Sequence, residues 1–265
     1  MRAPATTTSW CSSPRAGLRI APVSQPVLSV VVPVRNEAGN VLPLIEEVHA
    51  ALAGGPEFEL LYVDDGSRDA TPGELAAARA RFPRLRVLTH RDSCGQSAAL
   101  MTGVCAARGE WIATLDGDGQ NDPADLPKLL AARDSGPRNL QLVAGWRVAR
   151  NDSWLKRVSS RVANAVRARL LGDATPDTGC GLKLILRSAY LALPVFDHMH
   201  RFLPALIQRN GGATLSVPVG HRPRVRGRSN YGLHNRLWTG IVDLAGVLWL
   251  KRRLKRPEVS EAGRE

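Results

Sequence analysis

Aromatic residues are scarce in this 265-residue chain, at 5% of positions, and they are not interleaved with its arginines. The stacking platforms on which a single-stranded nucleic-acid binder lays its bases are therefore missing. Cysteine is scarce too. Cys11, Cys94, Cys105 and Cys180 show no paired or Cys-x-x-Cys spacing, which argues against a zinc or disulfide framework and predicts free thiols in a reducing compartment. No Gly-rich phosphate loop ending in a lysine is present, which disfavours a nucleotidyltransferase built on one. No apolar run reaches the roughly 20 residues that a bilayer-spanning helix needs. The stretch Met1 to Pro26 is rich in Ser, Thr, Ala and Pro and lacks the apolar core of a signal peptide; it is expected to be a disordered leader. Acidic residues are nearly absent between Arg222 and Arg256. From Arg222 to Arg256 ten Lys and Arg residues face only Asp243, within a net charge of +12. That imbalance calls for an anionic partner: nucleic acid, acidic lipid or a phosphate-bearing substrate.

The composition that remains supports a full core, with 44% hydrophobic residues. The expected elements alternate. Strands are predicted at Leu28–Pro33, Phe58–Val63, Arg86–Thr89 and Trp111–Leu115, with helices at Asn40–Ala53, Thr71–Phe82 and Gln96–Ala107. The last helix carries small residues suited to close packing. Later strands are expected at Leu140–Gly145 and Ala213–Val219, and a basic helical stretch at Trp154–Leu171. Alternation of this kind predicts an α/β fold with a mostly parallel, doubly wound sheet. In such sheets, ligands sit outside the carboxyl ends of the strands. Polar clusters follow strand one (Arg35, Asn36, Glu37), strand two (Asp64, Asp65) and strand four (Asp116, Asp118).

The segment Asp116-Gly117-Asp118-Gly119-Gln120 concentrates the chemistry. Its glycines let the backbone turn sharply, so that two carboxylates and Gln120 converge at a strand end. Hard oxygen ligands of this kind suit Mg²⁺ or Mn²⁺, held jointly with substrate phosphates. The competing reading is a solvated acidic turn. Asp177-Thr178-Gly179-Cys180-Gly181 is a second Gly-rich turn. Leu237–Leu250 is apolar, about 14 residues long and too short to span a bilayer. It is bounded by Arg236 and Lys251-Arg252-Arg253, with Trp238 and Trp249 near its ends, a pattern of an interfacial helix. An ordinary core helix with a basic tail is the alternative. Four regions follow: the leader 1–26, a catalytic domain 27–220, a basic loop and membrane-interface helix 221–256, and a disordered tail 257–265.

From Val27 to Lys255 the chain resembles the family 2 glycosyltransferases with the GT-A fold. Within them it is similar to the polyprenyl-phosphate glycosyltransferases related to dolichol-phosphate mannose synthase. The matching elements are Val32–Glu37, Val63–Thr71, Asp116–Gln120 with Pro123, Gly145-Trp146-Arg147, Asp177–Lys183 and His221–Arg224, followed by Gly227–Gly232. The resemblance implies a Rossmann-like catalytic domain and a nucleotide-diphosphate sugar donor. Pro33, Arg35, Asn36, Glu37, Val63, Asp65, Asp116 and Gly117 would bind that donor. Asp116, Asp118 and Gln120 would hold Mg²⁺ or Mn²⁺. Asp118, Asp177, Arg147 and Arg224 would be catalytic, with Asp177 either a base or a turn residue. Arg222, Arg224, Arg228 and Ser229 would take the acceptor phosphate. Several relatives have lysine where this chain has Asn230, leaving Arg226 or Arg228 to replace that charge. Many relatives also carry transmembrane helices after this domain, where this chain has a basic tail.

The implied reaction is inverting sugar transfer to a polyprenyl phosphate, by a peripheral protein on the cytoplasmic face of a membrane and with no nucleic-acid partner. Two other readings compete. A family 2 enzyme that extends a cell-envelope glycan or lipid-linked saccharide would need a true base for a hydroxyl acceptor. A basic nucleic-acid-binding protein would explain the charge but not Asp116 and Asp118.

Overall fold

The computed structural model of the protein describes residues 26–148, 167, 169–173, 175–223 and 233–255. The expected tail and all of the leader but Pro26 lie outside these residues, as does most of the basic stretch 154–171. Strands β1 (Leu28–Val34), β2 (Phe58–Asp64), β3 (Leu85–Thr89), β4 (Trp111–Thr114), β5 (Leu140–Arg147), β6 (Lys183–Leu186) and β7 (Ala213–Val219) form one sheet in the order β3-β2-β1-β4-β6-β5-β7. The helices are α1 (Val41–Ala51), α2 (Thr71–Arg81), α3 (Gln96–Ala106), α4 (Leu126–Asp134), α5 (Arg187–Leu191), α6 (Leu203–Arg209) and α7 (Leu233–Arg253).

Strands β1 to β4 pair in parallel, as do β5 and β7, while β6 runs antiparallel to both β4 and β5. The mostly parallel α/β sheet expected from the sequence is therefore present, with one reversed strand that was not expected. β6 has four residues, too few for a period to register.

β1 and β2 are apolar on both sides because both faces of the sheet are covered. Val30, Val32, Leu60 and Tyr62 belong to the core beneath α1, α2 and α4. Val31, Leu61, Val63 and Ile112 belong to the opposite core, beneath α3, α5, α6 and α7. Burying each such side chain contributes about 1.5–3 kcal/mol. Small residues bring α3 down onto the sheet as expected. A Cβ at Gly103 would lie 2.4 Å from Val31 Cγ1, so a larger residue would force the helix away.

The chain order creates the crevice. From β1 the chain winds outward to β3, then returns through α3 to β4 on the other side of β1. β1 stays paired with β2 as far as Val34 and Asp64, but with β4 only as far as Val31 and Thr114. The two central strands thus part at their carboxyl ends, at the topological switch point where ligands bind in open α/β sheets. Pro33 sits where this ladder has opened, so its missing N–H costs no sheet hydrogen bond on that side.

Cys94 and Cys180 are free thiols, as expected, and Cys11 lies outside the described residues.

Candidate active site

The turn after β4 is assembled by neighbours from four segments. The backbone N–H of Asp116 donates to Asn121 Oδ1 (3.0 Å), and Gln120 N–H donates to Asp118 Oδ1 (3.1 Å). Gln96, the first residue of α3, donates from Nε2 to Asp116 Oδ1 at 2.9 Å. Two glycines make room. A Cβ at Gly117 would meet Val34 Cγ1 at 2.4 Å, and one at Gly181 would meet Asp116 Oδ2 at 2.1 Å. Burial and the repulsion of Asp118 raise the Asp116 carboxyl above the usual range, against the pull of Lys183, Gln96 and Arg147. A divalent cation is the natural relief for such a pair of hard oxygen donors.

Around β1 and β2, loop is bound to loop. Asn36 has φ of 55°, tolerable for Asn in the left-handed region. Its N–H donates to Ser67 Oγ, and its Oδ1 accepts from Arg68 N–H. Glu37, half-buried, takes a hydrogen bond from Asn40 Nδ2, and its N–H donates to Thr71 Oγ1. Arg35 and Asn36 are exposed, and Pro33 is half-buried. Val63 is fully buried, its side chain packed in the α3 core.

Asp65 is bound on all sides by its own protein. Its two oxygens interact with His90 Nδ1 (2.7 Å), Ser93 Oγ (2.7 Å), Cys94 N–H (2.8 Å) and Gly95 N–H (2.9 Å). Burial alone would raise this carboxyl, but the four partners hold it below the usual range. Asp65, His90 and Cys94 also bring ligand-type atoms close together. The carboxylate's lone pairs are already taken by these hydrogen bonds, so the cluster fixes the loop over Gly66 rather than offering ready metal ligands.

At the end of β5, Arg147 grips Asp177 through two parallel bonds, Nε to Oδ2 at 2.6 Å and Nη2 to Oδ1 at 2.9 Å. The antiparallel course of β6 makes this possible, because it returns the Asp177–Leu182 turn to the end of the sheet where β4 and β5 finish.

A model of the family described as glycosyl transferase family 2 matches residues 29–193. The chain belongs to glycosyl transferase family 2. The dodecaprenyl-phosphate galacturonate synthase of Rhizobium johnstonii is 39% identical over 247 residues, covering 89% of this chain and 70% of that protein. An undecaprenyl-phosphate 4-deoxy-4-formamido-L-arabinose transferase of Edwardsiella ictaluri is 35% identical over 210 residues, covering 78% of this chain. The chain spans 63% of that relative's length. Among solved structures, mannosyl-3-phosphoglycerate synthase from Rubrobacter xylanophilus has a TM-score of 0.69 at 20% identity, covering 88% of this chain and 77% of that one. Glucosyl-3-phosphoglycerate synthase from Mycobacterium tuberculosis, in complex with Mn²⁺, uridine diphosphate and phosphoglyceric acid, has a TM-score of 0.64 at 21% identity, covering 87% of this chain and 80% of that one. These likenesses show the GT-A fold.

In this family 2 glycosyltransferase the expected phosphate-binding arginines have different fates. Arg222 is paired with Glu47 and Asp122, each at 2.7 Å, and its N–H donates to the Gln120 carbonyl. These bonds join the end of β7 to α1 and to the Asp-x-Asp turn. Gln120 Nε2 lies 3.4 Å from the Arg222 carbonyl and 3.5 Å from His221 Nε2. Arg224, Arg228 and Ser229 lie outside the described residues.

Sequence reasoning missed Gln96, Asn121, His90 and the buried Lys183. Three of them had a signal. His90 directly follows β3, Gln96 opens α3 after Gly95, and Asn121 ends the Asp-x-Asp turn, so each stands at the same end of the sheet as the clusters that were noticed.

Proposed function

We propose that this glycosyltransferase moves a sugar, with inversion, from a nucleotide-diphosphate sugar to a polyprenyl phosphate. The observation that carries the reading is the Asp116–Asp118 turn at the switch point of the sheet, in a chain whose curated relatives are named for dodecaprenyl and undecaprenyl phosphates. Asp116 and Asp118, with Gln120 beside them, would hold Mg²⁺ or Mn²⁺. When bound, the ion neutralises charge on the departing nucleoside diphosphate. Gln96 and Asn121 hold the turn in shape. The Arg35–Glu37 loop and the Asp65-anchored loop 92–95 frame the donor's nucleoside end.

A phosphate acceptor is already anionic at neutral pH, so it needs orientation more than deprotonation. The doubly bonded Arg147–Asp177 pair supports a role for Asp177 in aiming Arg147 at phosphate oxygens, rather than as a base. Arg224 and Arg228, which follow Arg222 in the chain, would take the acceptor phosphate.

The membrane surface is the proposed workplace, on the cytoplasmic side. No helix among the described residues is long and apolar enough to cross a membrane. α7 instead buries Val247 in the core and leaves Ile241, Val242 and Trp249 more than half exposed. Arg252 and Arg253 are exposed at its end, with Arg253 stacked over Trp249. An apolar face ending in basic residues suits the headgroup region of an anionic bilayer.

The test is to incubate the purified protein with polyprenyl phosphate in vesicles and a panel of radiolabelled nucleotide sugars. Label is expected in organic-extractable, mild-acid-labile lipid, and lost in excess chelator. Label confined to glycan products would refute the lipid-phosphate acceptor.

A further inference from the structure

Away from the Asp-x-Asp turn, three side chains of different ligand chemistry meet at the carboxyl end of the sheet. Asp65 directly follows β2, His90 directly follows β3, and Cys94 lies in the loop before α3. One ligand atom from each lies within 4.8 Å of the other two. A thiol, an imidazole and a carboxylate are the donor set of a Zn²⁺-like ion, whereas Mg²⁺ and Mn²⁺ favour oxygen alone.

The surroundings are those that orient metal ligands. A ligating histidine is fixed by a hydrogen bond on its other ring nitrogen, and a ligating carboxylate by hydrogen bonds of its own. His90 Nε2 lies 2.9 Å from Thr102 Oγ1. Asp65 Oδ2 accepts from Ser93 Oγ at 2.7 Å and from Gly95 N–H at 2.9 Å. His90 Nδ1 and Asp65 Oδ1 face each other at 2.7 Å, with the shared proton between them. That proton makes the cluster a loop anchor and leaves nothing for a hard cation. A thiophilic cation can replace it, and Oδ1 still keeps its bond from Cys94 N–H. Ligand atoms around a tetrahedral Zn²⁺ stand roughly 3.3–3.6 Å apart, given bonds of about 2.0–2.3 Å. The His90–Asp65 pair therefore has to open by only roughly 0.6 Å. His90 and Asp65 are mostly buried, and exposed Cys94 gives the path from solvent.

We propose that Asp65, His90 and Cys94 form a site for a thiophilic divalent cation of the Zn²⁺ class, separate from the Asp-x-Asp turn, and that its occupation weakens donor binding. On entry the thiol gives its proton to solvent, and the imidazole carries its proton on Nε2, towards Thr102. Nδ1, the Cys94 sulfur and Asp65 Oδ1 then take the ion, and a water completes the four ligands. Parting His90 from Asp65 reshapes loop 92–95. The effect on the donor rests on the proposed function, in which that loop frames the nucleoside; binding of the ion does not.

Co²⁺ serves as the probe, because a thiolate bound to it gives a charge-transfer absorption. The full chain, reduced and saturated with Mg²⁺, is titrated with Co²⁺. The band is expected to appear and to be abolished by Zn²⁺. Cys94→Ser should lose the band with little change in melting temperature, since this side chain is exposed. Thr102→Val removes only an orienting partner and should weaken Co²⁺ binding by about tenfold. Cys180→Ala and Asp118→Asn should keep the band. No band in the native protein, or one that survives Cys94→Ser, overturns the proposal. A band lost in Asp118→Asn assigns the ion to the Asp-x-Asp turn and overturns it as well. Calorimetry with UDP at saturating Mg²⁺ then reads the donor. Zn²⁺ should weaken UDP binding by about tenfold in the native protein and leave it unchanged in Cys94→Ser. A Cys94-dependent band with unaltered UDP binding would uphold the metal site and overturn its link to the donor, and with it the placing of the nucleoside at loop 92–95.

Discussion

Arg147 and Asp177 face each other across the end of the sheet in a bidentate pair whose side chains are only 13% and 10% exposed. Breaking one side of such a pair leaves the other charge poorly solvated, at a cost of about 3 kcal/mol. If Asp177 aims Arg147, Asp177→Asn and Arg147→Gln should each depress turnover, and the double variant should be little worse than either single one. The acidic limb of the pH–rate profile should keep its position in Asp177→Asn. A limb that vanishes in that variant would make Asp177 the base.

Gly181 is the residue on which the Asp116 carboxylate rests. Gly181→Ala would put a methyl group 2.1 Å from Asp116 Oδ2, so the carboxylate has to move. Overpacking of this kind costs about 1–3 kcal/mol. Calorimetry should show weaker binding of UDP with Mn²⁺, and thermal unfolding should show the matching loss of stability. Unaltered binding would mean that Asp116 has freedom the packing does not suggest.

Asp65 should make itself felt in acid. Its carboxyl is held below the ordinary value in the folded protein, so the stability it contributes is present above the unfolded value, about 3.9. That stability is lost as pH falls through the folded value. Ser93→Ala removes one of the four partners and should cost about 1 kcal/mol at pH 7. Urea unfolding should show this difference at neutral pH and a convergence of the two proteins once the pH has fallen below the folded value of Asp65. A gap that persists in acid would assign the loss to packing around Ser93.

The outer face of α7 can be changed without touching the core. Ile241→Glu with Trp249→Glu should leave thermal stability nearly unchanged, since both residues are more than half exposed. It should reduce flotation with anionic vesicles. Charge reversal at Arg252 and Arg253 should weaken vesicle binding by about 1 kcal/mol per residue, more at low salt than at high salt. Equal flotation of all these variants would remove α7 as the contact.

Much of this protein was determined by local sequence. β1 and β2 are mostly apolar runs because both of their faces are covered, and a run of that kind needs no knowledge of its neighbours to be recognised. The Asp-x-Asp turn was legible for the same reason, since strand, glycines and carboxylates lie within one short segment. What the sequence left open is where each charge goes. Arg222 is one arginine in a basic run, and nothing along the chain tells that Glu47, 175 positions earlier, lies beside it. Asp177 reads as a free acid until Arg147 closes on it. Lys183 reads as one more basic residue until the reversed strand β6 brings it beneath Asp116. Hydrophobic periodicity repeats along the chain and so can be read along it. An ion pair depends on distance in space, and only the packing of the sheet sets that distance.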